Sequence, residues 1–319
     1  MRNIFGGVLI ITAISLGFFV SVVADKGIHI VMNSFESFKP NIAVFTRDST
    51  ELLIAKANTE INFSSKTYIT KNNVDFPKVS AKSFIVADLD TGDIIASKKP
   101  DQVYGIASIT KLMTAITSED TYKDDDVVTV SQLALMTYGK QGNFKIGEEY
   151  EVKDMMYPLL LESSNDAAEV LARHENRTQF ISSMNDKAED LGLVYTKFSD
   201  ASGLSPGNRS TVSDLFKLSQ YIFENRSHLY DITKINSYSV KGKTWYNINR
   251  FKGDDNFLGG KNGYTDLANQ THLGLFRLPL EGDSGYRNIA IIVLQSNGAV
   301  RDTRDIISHL NKNVYYEEE

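Results

Sequence analysis

The chain has no cysteine and only five histidines among its 319 residues. Without cysteine, the protein can form no disulfide bond, thiolate nucleophile or cysteine zinc site. The histidines are scattered, and none forms a short-spaced ligand pair such as H-E-x-x-H. The glycine motifs that bind dinucleotides or nucleotide phosphates are also missing. We therefore expect neither a metal ion nor a cofactor.

The chain also lacks an excess of positive charge. It carries 34 basic and 40 acidic residues, which gives a formal net charge of −6 at pH 7. Proteins that bind nucleic acid usually show a basic excess or a basic patch, because phosphate contacts dominate their affinity. The sequence therefore argues against a nucleic-acid partner.

One long hydrophobic run stands at the start of the chain. Residues 4–24 contain no charged side chain, and the run stops at Asp25 and Lys26. About 20 apolar residues in a helix are enough to cross a bilayer, whereas the hydrophobic part of a cleaved signal peptide is usually shorter. Residues 1–24 are therefore predicted to be an N-terminal membrane anchor or a signal peptide. Either reading places the rest of the chain outside the cytoplasm, at the outer face of the cell membrane, in the periplasm or in the extracellular wall.

The remaining sequence divides into three parts that differ in composition and periodicity. Residues 25–79 are rich in Ser, Thr, Asn and Lys without strong periodicity, which is typical of a spacer. Residues 80–312 carry clear strand and helix patterns, and are predicted to be the catalytic domain. Residues 313–319 are predicted to be an acidic tail.

Within residues 80–312 the strands and helices are segregated along the chain. "SFIVADLDTGDIIASKK" reads as a hairpin, and three helical patterns follow between residues 152 and 225, with Asn165 and Asp166 capping one of them. Residues 242–296 read as strands, and "RDTRDIISHLNKNVYY" reads as a final helix. Such segregation predicts an α+β domain with an antiparallel sheet.

A serine and a lysine three positions apart mark the start of the first predicted helix. In "GIASITKLMTAI", residues three apart share a helix face, so Lys111 can place its amine near the hydroxyl of Ser108. A serine hydroxyl needs an adjacent base before it acts as a nucleophile, and burial can lower a lysine pKa until the amine is a neutral base. The triplet by itself is weak, since about one S-x-x-K is expected by chance in a chain of ordinary composition.

Two further motifs follow in a fixed order. They are Ser163-Ser164-Asn165 and Lys261-Asn262-Gly263, which complete the set S-x-x-K, S-x-N and K-x-G of serine acyl-enzymes that react with penicillins. The stretches "IASITKLMTA", "LLLESSNDAAEVLA", "DLGLVYTKFSDASGLS" and "GGKNGYTDLAN" resemble blocks of the D-alanyl-D-alanine carboxypeptidases of the low-molecular-weight penicillin-binding proteins. The resemblance covers roughly residues 80–300.

The resemblance implies a fold of the β-lactamase/transpeptidase type. In this fold a five-stranded antiparallel sheet is flanked by helices, with an all-helical lobe inserted between the Ser108 and Lys261 elements. It also implies a catalytic set in which Ser108 is the nucleophile, Lys111 accepts its proton, and Ser163 relays a proton to the leaving amine. Asn165 would hydrogen-bond the substrate backbone and Lys111.

The third motif is implied to bind substrate. Lys261 would supply positive charge for the terminal carboxylate, and the backbone N–H groups of Ser108 and Tyr264 would form the oxyanion hole. The implied substrate-binding segment comprises Lys261, Asn262, Gly263, Tyr264 and Thr265.

The implied function is removal of the terminal D-alanine from peptidoglycan stem peptides through a Ser108 acyl-enzyme. The implied partners are stem peptides, β-lactam antibiotics as covalent inhibitors, and a membrane through an uncleaved N-terminus. No cofactor is implied.

One residue departs from the family pattern. The family usually has threonine where this chain has Asn262, and asparagine offers a longer, planar donor in place of a hydroxyl. Two alternatives therefore stay open: a D,D-endopeptidase that cleaves peptidoglycan cross-links, and a non-catalytic peptidoglycan-binding homologue. A β-lactamase is disfavoured because no E-x-x-L-N element precedes the third motif.

Overall fold

The computed structural model describes residues 66–71, 74–139, 142–281 and 285–318, together with four short strands nearer the start of the chain. The chain divides into two compact units, residues 1–65 and 66–319. In the first unit the antiparallel pairs β1–β2 and β3–β4 are formed by Ile10–Ile11, Val20–Ser21, Ile28–Ile30 and Ala43–Phe45. The predictions for residues 1–24, and for the spacer up to residue 65, otherwise lie outside the described residues. None of the helices in the described part is both long and apolar enough to span a bilayer.

The described strands of the second unit are numbered onward in chain order. They are β5 (Lys66–Thr70), β6 (Ser83–Asp88), β7 (Ile94–Lys98), β8 (Tyr104–Gly105), β9 (Val127–Thr129), β10 (Glu149–Glu151), β11 (Arg209–Ser210), β12 (Ser237–Val240), β13 (Lys243–Tyr246), β14 (Phe257–Thr265), β15 (Asn269–Glu281), β16 (Gly285–Ser296) and β17 (Val314–Glu318).

The described helices are likewise numbered in chain order. They are α1 (Thr110–Thr121), α2 (Val152–Leu161), α3 (Asn165–Arg173), α4 (Arg177–Asp190), α5 (Val212–Asn225), α6 (Ser227–Ile232) and α7 (Ala299–Asn313). Short 3₁₀ turns lie at Ala107–Ile109 and Ala134–Met136.

A five-stranded antiparallel sheet organises the second unit, as predicted. Its strand order is β14-β15-β16-β6-β7, so the early β6–β7 hairpin lies beside strands from the last third of the chain. Side chains alternate between the two faces of each strand. Ile85 and Ile292 pack with the helices α1 to α5, whereas Val86 and Ile291 pack against α7. The sheet is therefore buried on both sides, which makes the architecture α+β.

The helical lobe lies in sequence between Ser108 and Lys261, also as predicted. One local detail differs from the sequence reading. The N-cap of α3 is Ser164, whose Oγ accepts the N–H of Ala167 at 3.0 Å. Asn165 and Asp166 are therefore the first residues of the helix, not its cap. The consequence is that the side chain of Asn165 is available to the site.

The end of the chain also differs from the sequence reading. The final helix stops at Asn313, and β17 pairs with β5, although these segments were assigned to the helix and acidic tail and to the spacer. Tyr68 and Tyr316 face each other across the pair, with ring centroids 4.7 Å apart. The hydroxyl of Tyr68 also donates to the buried carboxylate of Asp88 in β6. These contacts hold β5 and β17 together, although their polar composition by itself predicts irregular extensions.

Candidate active site

Ser108 lies on a tight turn directly before α1. The preceding residue, Ala107, has a φ of +48°, a left-handed conformation that costs a non-glycine residue energy. Gly203 packs against this turn, and a Cβ built on Gly203 would lie 2.1 Å from the carbonyl oxygen of Ala107. The turn therefore depends on a glycine almost a hundred residues away, and it leaves Ser108 partly exposed.

Lys111 projects from the first turn of α1 and is fully buried. Its Nζ donates hydrogen bonds to Ser108 Oγ at 3.0 Å, to Asn165 Oδ1 at 2.8 Å and to the backbone oxygen of Ser202 at 2.5 Å. Burial lowers the pKa of Lys111 well below its usual value, and the nearby charge of Lys261 lowers it further, against the opposing effect of Asp200. A neutral amine in this position can take a proton from the serine hydroxyl.

Ser163 and Lys261 form a second serine–lysine pair opposite the first. Ser163 sits between α2 and α3 with a φ of +61°, and Lys261 Nζ donates to its Oγ at 2.7 Å. Lys261 also donates to the oxygen of Asn262 at 3.0 Å. Because it is buried, the pKa of Lys261 falls to about 7, so both its protonated and neutral forms are populated near neutral pH.

The edge strand β14 approaches the nucleophile closely at Gly263. A Cβ there would lie 2.7 Å from the backbone nitrogen of Ser108 and 2.6 Å from Thr271 Oγ1. Only glycine lets the strand come this near. The next residue, Tyr264, lines the same cavity, so the backbone N–H groups predicted to form the oxyanion hole come from neighbouring segments.

A cavity of about 420 Å³ joins the predicted residues. Its lining includes Ser108, Ser163, Asn165, Asn262, Gly263 and Tyr264. The amines of Lys111 and Lys261 reach this lining through their hydrogen bonds to the two serines. Thr265 is the exception, because it lies outside the lining and its Oγ1 accepts the N–H of Ala268 at 3.1 Å.

Asn262 faces His272 across the β14–β15 pair. The buried Oδ1 of Asn262 and the buried Nε2 of His272 have no hydrogen-bond partner among the described residues. Thr303 Oγ1 donates to the carbonyl oxygen of Ala299, so it accepts the Nδ1–H of His272 at 3.1 Å, and Nε2 is therefore an acceptor. Burial, and to a lesser extent Lys261, lowers the pKa of His272 to about 3, so the ring is neutral at physiological pH.

Residues 200–203 belong to one of the stretches that resemble the family, but the sequence analysis gave them no role. The carboxylate of Asp200 accepts the N–H groups of Ser202, Gly203 and Ser205 at 2.6–2.9 Å. This fixes the Ser202 carbonyl that binds Lys111, and the Gly203 contact with Ala107. The sequence signal was the "DASG" run itself, which is typical of a tight turn capped by aspartate.

Other aromatic and ionisable residues have structural places. Trp245 is fully buried, and its Nε1 donates to the oxygen of Gly142 at 2.9 Å, so it is a core residue. In the described part of the chain, no group of three or more His, Asp or Glu side chains is arranged to hold a metal ion.

Comparison with known families gives one consistent result. The family model of the D-alanyl-D-alanine carboxypeptidases matches residues 70–275. The chain is 31% identical over 268 residues to the D-alanyl-D-alanine carboxypeptidase DacD of Escherichia coli, covering 78% of this chain and 67% of that protein. It is 40% identical over 147 residues to a D-alanyl-D-alanine endopeptidase of Escherichia coli, covering 44% of this chain and 47% of that protein. The chain thus spans between about half and two thirds of these relatives.

Solved structures show the same fold. A D-alanyl-D-alanine carboxypeptidase from Mycobacterium tuberculosis superposes with a TM-score of 0.67 at 25% identity, covering 78% of this chain and 99% of that one. Penicillin-binding protein D2 from Listeria monocytogenes, solved in its cefotaxime-bound form, gives a TM-score of 0.65 at 25% identity, covering 74% and 99%.

Proposed function

Because the chain belongs to the D-alanyl-D-alanine carboxypeptidase family of serine peptidases, we propose that it removes the terminal D-alanine of peptidoglycan stem peptides through an acyl-enzyme on Ser108. The observation that carries this proposal is the position of Lys111 Nζ, 3.0 Å from Ser108 Oγ and fully buried. Serine becomes a nucleophile only beside a base, and this amine is the base that burial keeps neutral.

Acylation begins with proton transfer from Ser108 to Lys111. Ser108 Oγ attacks the carbonyl carbon of the penultimate D-alanine, and the oxygen that becomes negative accepts hydrogen bonds from the N–H groups of Ser108 and Tyr264. Removing one such donor typically costs about 3–4 kcal/mol of transition-state stabilisation. The close approach of β14 at Gly263 supports this pairing of donors.

The leaving amine needs a proton as the peptide bond breaks. Ser163 Oγ lines the cavity and holds Lys261 Nζ at 2.7 Å, so this pair can deliver a proton to the departing D-alanine. Asn165 holds the Lys111 amine through its Oδ1 and is itself anchored by donation from its Nδ2 to the oxygen of Tyr138 at 3.0 Å. The proton that Lys111 took from Ser108 then replaces the one that the Ser163–Lys261 pair gave up, which leaves Lys111 neutral again. Lys111 can then accept a proton from the water that hydrolyses the ester of Ser108.

A second candidate is a D,D-endopeptidase that cleaves peptidoglycan cross-links. Two observations favour it: the 40% identity to a D-alanyl-D-alanine endopeptidase, and Asn262 in the position where the family usually has threonine. The same acyl-enzyme serves both reactions, which differ only in the residue that leaves.

The same proposal includes β-lactams, which would inhibit the enzyme by acylating Ser108. The hydrophobic residues 4–24 support the further proposal that the enzyme acts outside the cytoplasm, either tethered by the N-terminus or released.

Intact mass after incubation with benzylpenicillin tests the nucleophile. The full chain should gain the mass of one drug molecule, and Ser108→Ala should gain none. D-Alanine release from a pentapeptide would then identify a carboxypeptidase, and cleavage of a cross-linked muropeptide dimer would identify an endopeptidase. No adduct, with the drug left intact and neither peptide cleaved, would point to a non-catalytic binding protein.

A further inference from the structure

Asn262 and His272 bury two acceptor atoms side by side in the cavity wall. They lie directly opposite each other in the β14–β15 pair, and both line the cavity. Directly opposite residues of an antiparallel pair project from the same face of the sheet, with their Cβ atoms about 5 Å apart. Asn262 Oδ1 and His272 Nε2 have no hydrogen-bond partner among the described residues. A buried acceptor without a donor destabilises a fold, so two of them on one face point to a hydrogen bond within the pair.

His272 is held in one tautomer and one position. Its Nδ1–H donates to Thr303 Oγ1 at 3.1 Å, and its ring stacks on Phe251 with the centroids 4.9 Å apart. The ring also lies over Gly274, where an added Cβ would be 3.0 Å from Nε2. Because the ring is neutral and Nδ1 carries its proton, Nε2 can only accept a hydrogen bond. A donor for Nε2 must therefore come from a neighbouring residue.

The side-chain amide of Asn262 contains a suitable donor. The oxygen and the NH₂ group of an amide have almost the same shape, so a half-turn about χ2 exchanges Oδ1 and Nδ2 without disturbing the packing. With the amide in this orientation, Nδ2 can donate to His272 Nε2, and both buried positions are satisfied. Gln270, the other glutamine or asparagine of β15 in the lining, is already oriented by its Oε1, which accepts the N–H of Ala299 at 3.0 Å. The outer end of the Asn262 amide is then its oxygen.

We propose that His272 is a positioning residue that holds the Asn262 amide with its oxygen towards the cavity, so that the site favours a leaving residue whose carboxyl group is capped as an amide. An amide N–H can donate to this oxygen, whereas a carboxylate offers only lone pairs. A threonine hydroxyl, which the family usually has in place of Asn262, can donate to a carboxylate instead. The inference rests on the proposed acyl-enzyme function and names the class of substrate that the same site prefers.

Two cations near this wall favour an anion, but neither is well placed to override the amide. Lys261 is buried, donates to Ser163 Oγ and to the backbone oxygen of Asn262, and has a pKa of about 7 that leaves it partly neutral. Arg250 lines the cavity with an exposed side chain, so water and salt screen its charge. The orientation of the Asn262 amide is therefore the feature that distinguishes an acid from an amide here.

The test uses two pentapeptides that differ only in the last residue, which is D-alanine in one and D-alaninamide in the other. The full chain is assayed for release of this residue, and kcat/KM is compared between the two peptides. Wild type should favour the amide by about 10-fold, the effect of one hydrogen bond. His272→Leu removes the acceptor, so the Asn262 amide can turn either way and the preference should disappear. His272→Gln should retain part of the preference, since its side-chain oxygen can accept in place of Nε2.

His309→Leu is the matched control, because His309 is also largely buried but does not line the cavity. It should keep the wild-type preference. Asn262→Thr leaves the buried ring in place and should favour the free acid, which tests the same assignment without altering His272.

Three results would overturn the inference while the Ser108 acyl-enzyme stands. They are a wild-type preference for the free acid, an unchanged preference in His272→Leu, and a benzylpenicillin adduct without release of either residue. If wild type releases neither residue and forms no adduct with benzylpenicillin, the proposed function itself fails.

Discussion

The backbones of Ala107 and Gly203 lie so close together that no side chain fits between them. A Cβ on Gly203 would lie 2.1 Å from the Ala107 oxygen and 2.9 Å from the nitrogen of Ser108. Gly203 also has a φ of +88°, which disfavours any residue with a Cβ. This single contact sets the position of the nucleophile.

Gly203→Ala should therefore disable the enzyme. We expect the acylation rate by benzylpenicillin to fall by at least about 100-fold, because misplacement of a reacting group by 1 Å has that effect. Gly192→Ala is the control, with a φ of +65° but no atom within 4 Å of the added Cβ. It should lower the free energy of unfolding by roughly 1 kcal/mol and leave acylation unchanged. Normal acylation by Gly203→Ala would contradict the role of this contact.

Lys111→Met should lower the acylation rate without lowering the stability of the fold. The acylation rate should fall by about 10²–10⁴-fold, because the general base is gone. Thermal unfolding should show equal or greater stability than wild type, because a buried amine with a lowered pKa opposes folding. A variant that still acylates at the wild-type rate would exclude Lys111 as the base.

Asp200→Asn tests whether the 200–203 turn positions Lys111. The negative charge of Asp200 raises the pKa of Lys111, so its removal should lower that pKa further. The acid limb of the pH profile for acylation should then move to lower pH, because the neutral amine persists there. The maximal rate should fall by about 10-fold as the Ser202 carbonyl loses its support. Loss of rate with no movement of the acid limb would indicate a purely structural role.

Lys261 should make stability depend on pH in a defined direction. Its folded pKa is about 7, against an ordinary value of 10.5, so the unfolded state binds more protons between these values. The free energy of unfolding therefore rises with pH across this window, and below about pH 7 the full cost of the buried charge remains. Chemical denaturation at several pH values should show that wild type gains stability relative to Lys261→Met between pH 7 and pH 10. A constant difference would show that Lys261 keeps its ordinary pKa.

The fold and the convergence of most of the site residues could be predicted from the sequence, because the local strand and helix patterns agree with the order of the motifs. The β6–β7 hairpin follows from apolar strands around Asp90-Thr91-Gly92-Asp93, and Phe180, Met184 and Ala188 are buried on α4 as their spacing predicts. Ser108, Lys111, Ser163 and Lys261 converge as the ordered motifs imply.

The elements that sequence reasoning missed depend on long-range contacts. β5 and β17 have polar, charged compositions, and only their mutual pairing and the aromatic contact of Tyr68 with Tyr316 make them strands. Thr265 was placed with the substrate-binding residues, but the turn after β14 uses its hydroxyl as a cap for Ala268.

The order of strands in the sheet has a consequence for when the enzyme becomes reactive during synthesis. Val86 pairs with Ile291, and the strand that backs Ser108 is β14, so the reactive centre joins segments separated by most of the domain. Contacts between such distant segments form slowly and late in folding. A chain that has emerged only as far as α5 carries Ser108 and Lys111 but lacks the β14 backbone beside them. On the proposed function, we therefore expect the serine to stay inert towards peptides and β-lactams until β14 to β16 have joined the hairpin, so that the last third of the chain controls the activation of a residue in the first half.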